Sequence, residues 1–91
     1  MTLETLRPTN ATLRPPMTPV TSSNLAAIGY DTNTRQLYVR FKSSGLYVYD
    51  DVPELEHEYL MCVEEAGESV GRAFNERIKK GGYNYKRIDD L

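Results

Sequence analysis

Two tyrosines two residues apart, Tyr47 and Tyr49, lie in GLYVY, whose alternation reads as a β-strand. Residues so spaced on a strand project from one side about 6.6–7 Å apart, which would set the two rings side by side. The stretch before them, QLYVRF, alternates as well and puts Tyr38 and Arg40 on one side, with Lys42 following. Such a set suits one chemistry in particular. Nucleobases stack on aromatic rings for about 1–3 kcal/mol each, while Arg or Lys meets the phosphates. Lys86 and Arg87 near the C-terminus could add cations. The candidate nucleic-acid-binding residues are therefore Tyr38, Arg40, Lys42, Tyr47, Tyr49, Lys86 and Arg87. Tyrosine also forms strands readily, and cross-strand tyrosine pairs stabilise exposed sheets without binding anything. The spacing alone does not require a ligand.

No set of side chains reads as catalytic. His57 is the single histidine, flanked by Glu56 and Glu58, and one His with no second His or Cys nearby does not make a metal site. Cys62 falls on an expected apolar helix stripe and reads as packed rather than nucleophilic. Asp50 and Asp51 are explained by helix-start chemistry. Ser22 and Ser23 have no base that the sequence can point to, and Gly81-Gly82 lacks the strand–loop–helix setting of a phosphate loop. The expected class is a non-enzymatic binding module with neither metal nor cofactor.

Charge offers a second surface. The chain has 91 residues and a formal net charge of -2, which argues against nucleic-acid binding by bulk charge. Its distribution is uneven: from Asp51 to Glu68 there are seven carboxylates and no Lys or Arg, whereas from Ser69 onward six basic residues face three acidic ones. An acidic helix of this kind could hold a partner protein through Glu54, Glu58 and Glu65. That gives the alternative reading, a phage-encoded adaptor or inhibitor acting on a host protein through this helix and the N-terminal arm. A single cysteine allows no internal disulfide and fits a reducing compartment. No apolar run approaches the roughly 18 residues of a membrane span. A cytoplasmic monomer or weak homodimer is expected.

The elements that must position these residues follow from periodicity. Residues 1–19 carry four of the five prolines and read as a flexible Pro/Thr-rich arm. Residues 20–88 form the domain. Asn24–Asp31 is the first strand; with Tyr30 opposite Leu37, Ile28 meets Val39, and Gly29 and Ala27 lie beside Tyr38 and Arg40. Gly29 marks either a bulge or a close backbone approach. The next two strands turn at Ser43-Ser44. With Phe41 opposite Leu46, the side chains of Leu37, Val39, Phe41, Leu46 and Val48 share one face, and Tyr38, Arg40, Tyr47 and Tyr49 the other. Pro53 opens a helix whose stripe is Leu55, Tyr59, Cys62, Val63 and Ala66. Gly67 closes it in a left-handed conformation and Ser69 caps a second helix that buries Val70, Ala73, Phe74 and Ile78. Gly71 permits close approach, and Gly81-Gly82 ends the helix. The fold class is α+β: a three-stranded antiparallel meander followed by two helices packed on one face, with room for a short C-terminal edge strand over residues 83–88. About 70 residues make a core of marginal stability.

Taken together, Ser22-Ser23-Asn24, Ile28-Gly29-Tyr30-Asp31, Leu37-Tyr38-Val39-Arg40-Phe41, Tyr47-Val48-Tyr49, Val52-Pro53, and Ser69-Val70-Gly71 with Phe74-Asn75 resemble the KTSC domain. That family is named for its place at the C-terminus of some lysyl-tRNA synthetases and also occurs as small free-standing proteins of bacteria and phages. The resemblance spans about residues 20–80. It implies a short antiparallel sheet followed by helices, and RNA as a suggested ligand. This chain departs from the family in its Pro/Thr arm and in lacking a synthetase body.

Overall fold

The computed structural model describes residues 15–88; most of the expected arm, residues 1–14, lies outside them. The strands are β1 (Thr18–Pro19), β2 (Leu25–Asp31), β3 (Gln36–Phe41), β4 (Gly45–Tyr49) and β5 (Tyr85–Ile88), with helices α1 (Glu54–Glu65) and α2 (Val70–Phe74) between β4 and β5. A π-helical turn, Asn75–Lys79, continues α2. The strands form one antiparallel sheet in the order β1-β2-β3-β4-β5. The α+β class stands, and the expected meander gains a strand at each edge. The C-terminal edge strand falls within the expected residues 83–88. β1 is two residues long and contains Pro19, which is tolerated at an edge because it need not donate to a ladder.

The pairing of β2 with β3 is as expected: Tyr30 meets Leu37, Ile28 meets Val39 and Gly29 meets Tyr38. The bulge falls between Leu25 and Ala27, not at Gly29. Gly29 instead marks a close approach. A Cβ there would sit 2.7 Å from the Pro16 carbonyl oxygen and 2.8 Å from the Met17 sulfur. The chain at residues 15–17 thus crosses the sheet face that also carries Tyr38. Gly29→Ala is expected to cost about 1–3 kcal/mol through this overpacking. A lower urea midpoint at unchanged slope would report it.

The hairpin register is a correction. Phe41 pairs with Gly45, not Leu46, so Arg40 meets Leu46, Val39 meets Tyr47, Tyr38 meets Val48 and Leu37 meets Tyr49. The loop is therefore the three residues Lys42, Ser43 and Ser44, and Gly45 takes φ of 99°. A three-residue hairpin loop followed by a glycine at positive φ is a favoured connection; it moves every side chain of β4 to the other face. Tyr47 and Tyr49 point toward the helices with Leu37 and Val39. Leu46 and Val48 point away with Tyr38 and Arg40, yet are only 2% exposed.

The helices cover the first face. Leu25, Ile28, Leu37, Val39, Tyr49, Val52, Leu60, Val70, Ala73, Phe74 and Ile78 form one core. The expected inward side of α2 is found, with Val70, Ala73, Phe74 and Ile78 all buried. Ser69 accepts from the Arg72 amide. Gly67, at φ of 78°, sits in a left-handed helix stop whose amide bonds run from Gly67 to Glu64 and from Glu68 to Val63. Gly71 backs onto Ser22 and Asn24, the close approach its position implies.

Helix α1 is turned relative to expectation. Leu60 is its buried residue, while Leu55 is 74% exposed, and Tyr59, Cys62 and Ala66 are exposed too. Cys62 is therefore not packed. The reason lies in the polar residues on the inner side, each of which finds a partner. Glu56 pairs with Arg77 at 2.9 Å, Glu64 accepts from the Thr21 amide at 2.8 Å, and His57 stacks on Tyr30 at 5.2 Å. Partnered polar groups can be turned inward at little cost; of the expected stripe only Val63 packs on the core, and Leu55, Tyr59, Cys62 and Ala66 are left outside.

Candidate functional site

Because β4 carries Tyr47 and Tyr49 on the helix side, and β5 pairs Tyr85 with Tyr49 and Arg87 with Tyr47, these four side chains meet at one end of that face. The sheet there is covered by the end of α2 and its π turn, leaving a groove of about 420 Å³. Phe41, Tyr47, Tyr49, Tyr83 and Tyr85 line it with Asn24, Ser43, Ser44, Ile78 and Lys79. Small-molecule sites commonly measure about 300–1,000 Å³ and combine an apolar lining with a few polar groups.

The rings form a graded series from core to solvent. Phe74 meets Tyr49 edge-on at 5.6 Å and Phe41 at 5.7 Å. Phe41 in turn meets Tyr47 edge-on at 5.3 Å. Tyr85 stacks on Tyr49 at 5.2 Å with 27° between the rings and lies 6.1 Å from Tyr47. Edge-on and offset contacts at these distances are the preferred aromatic geometries. Tyr49 is 4% exposed and Tyr85 60% exposed, so the series ends in a ring held from below and open above. None of the lining residues is a carboxylate. Lys79 stands at the wall, and the Arg87 guanidinium leans toward Gly45, where a Cβ would lie 3.2 Å from its Nε.

The expected binding face is thus divided. Tyr47, Tyr49 and Arg87 gather on the helix side. Tyr38, Arg40 and Lys86 belong to the other face, as their partners Gly29, Val48 and Leu46 show, and Lys42 is exposed in the hairpin loop. Tyr49 is a buried support rather than an open platform. Tyr85, Tyr83, Phe41 and Lys79 were not anticipated. A second Tyr-x-Tyr, Tyr83-Asn84-Tyr85, on a strand that could pair with Tyr47-Val48-Tyr49, was the available signal.

Burial also acts on the titrating groups. It pushes the Tyr49 phenol up to about 12, with Tyr85 and Tyr47 adding to the shift. The Tyr30 phenol, which donates to the Val52 carbonyl, is likewise raised by burial. Burial holds His57 below its ordinary value against the opposing pull of Glu54 and Glu58. For Tyr49 the folded state keeps a proton that the unfolded chain releases near 10.0, so its stabilising share is complete below that pH. It is lost as pH rises toward about 12. Melting temperature should fall across that window, and fall less steeply in Tyr49→Phe.

Among the described residues no group of three His, Cys, Asp or Glu side chains could hold a metal ion, and no helix is long and apolar enough to cross a membrane. The exposed candidates for a protein interface, Glu54, Glu58 and Glu65, all lie on the solvent side of α1.

The profile of the KTSC domain matches residues 21–85. An uncharacterized protein of Stutzerimonas stutzeri is 43% identical over 68 residues, covering 75% of this chain and 90% of the relative. A protein of Tsukamurella paurometabola is 38% identical over 63 residues, covering 69% and 94%. The crystal structure of a KTSC domain protein from Yersinia pestis superposes with a TM-score of 0.72 at 34% identity, covering 84% of this chain and 100% of that one.

Proposed function

This chain belongs to the KTSC domain family, and from that premise we propose that it is a non-enzymatic, cytoplasmic module that binds RNA, single-stranded nucleic acid or a nucleotide. The site is not the single tyrosine face that the sequence suggests but the aromatic groove on the helix side of the sheet. One observation carries this reading: Tyr85, stacked on buried Tyr49, offers an open ring in a groove free of carboxylates. A base can lie on that ring, and the cations available to its phosphate are Lys79 of the groove wall and Arg87, which leans toward Gly45. Titration with a short single-stranded oligonucleotide and with a nucleoside monophosphate tests it. Affinity should fall as salt rises; absence of binding to either ligand at low salt would refute the reading.

A second reading, capture of a host protein through the acidic helix α1, is favoured by a specific observation. Leu55 is 74% exposed and Tyr59 41% exposed on the same side as Glu54, Glu58 and Glu65.

A further inference from the structure

Along α1 the exposed residues Leu55, Tyr59, Cys62 and Ala66 are spaced by four, three and four. That spacing is the seam of a coiled-coil helix, with Leu55 and Cys62 at d and Tyr59 and Ala66 at a. The Arg77 guanidinium lies 4.8 Å over the Tyr59 ring at one edge of this seam, while Leu55, 74% exposed, and Cys62 stay open because the helix turns Leu60 toward the core. Glu58 and Glu65 are one heptad apart, so both occupy g beside the seam, and both are exposed. On the other flank, the e position at Glu56 is already engaged by Arg77.

We propose that this seam docks a basic amphipathic helix of a partner protein, about three turns long, with Lys or Arg set against Glu58 and Glu65. The inference rests on the second reading above and names its partner class. Charge decides the occupant. In an antiparallel pair of two copies, g faces g, which would bring Glu58 against Glu65 with like charge. A basic helix converts the same two positions into attractive contacts and covers Leu55 and Tyr59.

The test uses the full chain and two synthetic peptides of about 20 residues, long enough to hold a helix. Both carry Leu at a and d; one carries Lys at e and g, the other Glu. The Lys peptide should bind, more weakly as salt rises, and the Glu peptide should not. Leu55→Ser, at a position too exposed to matter for folding, should weaken binding by about tenfold or more. Reversing Glu58 and Glu65 to Lys should transfer preference to the Glu peptide. If Leu55→Ser abolishes binding but charge reversal changes nothing, the seam docks a partner and the basic class is wrong. If Leu55→Ser changes nothing, the second reading falls as well. A dimer of the chain alone that dissociates in Leu55→Ser would identify a second copy as the occupant and overturn the proposal.

Discussion

Phe74→Ala is expected to lose about 3–5 kcal/mol of folding stability, the range for truncating a large buried aromatic. Phe74 is 1% exposed and meets both Tyr49 and Phe41 edge-on. It therefore supports the two rings on which the groove is built. A core of about 70 residues rarely supplies more than about 3–5 kcal/mol, so this variant should be largely unfolded at room temperature. Urea denaturation would show it directly. Leu55→Ala, by contrast, should stay within about 0.5 kcal/mol of the parent, because a solvent-exposed side chain away from special geometry contributes little. Equal losses in the two variants would mean that α1 packs the other way round.

Tyr85→Ala is expected to lower affinity for a single-stranded oligonucleotide by about tenfold to a hundredfold, the effect of removing one base-stacking ring. Tyr85 is 60% exposed and lies on an edge strand, so the fold should persist, as an unchanged midpoint of unfolding would confirm. Tyr38→Ala serves as the control. Its side chain lies on the opposite face beside Gly29, and the same binding assay should return the parent value. Loss of binding in Tyr38→Ala with retention in Tyr85→Ala would place the ligand on the wrong face for the groove.

The contrast between these two tyrosines shows what the sequence could and could not reveal. Alternation in Leu25–Asp31 and Gln36–Phe41 was enough to pair them correctly, since each has one plainly apolar face. Strand Gly45–Tyr49 is different: Leu46 and Val48 are buried on one side and Tyr49 on the other, so period-2 patterning has no polar face to fix the register. Gly45 held the deciding information, because a glycine after Lys42-Ser43-Ser44 favours the three-residue loop that shifts β4 by one. In α1 the stripe Leu55, Tyr59, Cys62, Val63 and Ala66 has the period of a buried face, yet only Val63 packs on the core and the rest of the inner side goes to Leu60 with Glu56, His57 and Glu64. Their partners, Arg77, Tyr30 and Thr21, come from three other segments. Such long-range pairings leave no local trace. Capping at Ser69, the stop at Gly67 and the buried side of α2 depend on neighbours a few residues away, and those were legible.

Backbone amide chemical shifts of the ¹⁵N-labelled chain, followed as a short single-stranded oligonucleotide is added, would locate the ligand most directly. Binding in the groove requires the perturbed amides to cluster at Tyr47, Lys79, Tyr83, Tyr85 and Arg87, with Ala27, Gly29 and Tyr38 left in place. Perturbations centred on Ala27, Gly29 and Tyr38, or none at any of these positions, would contradict it.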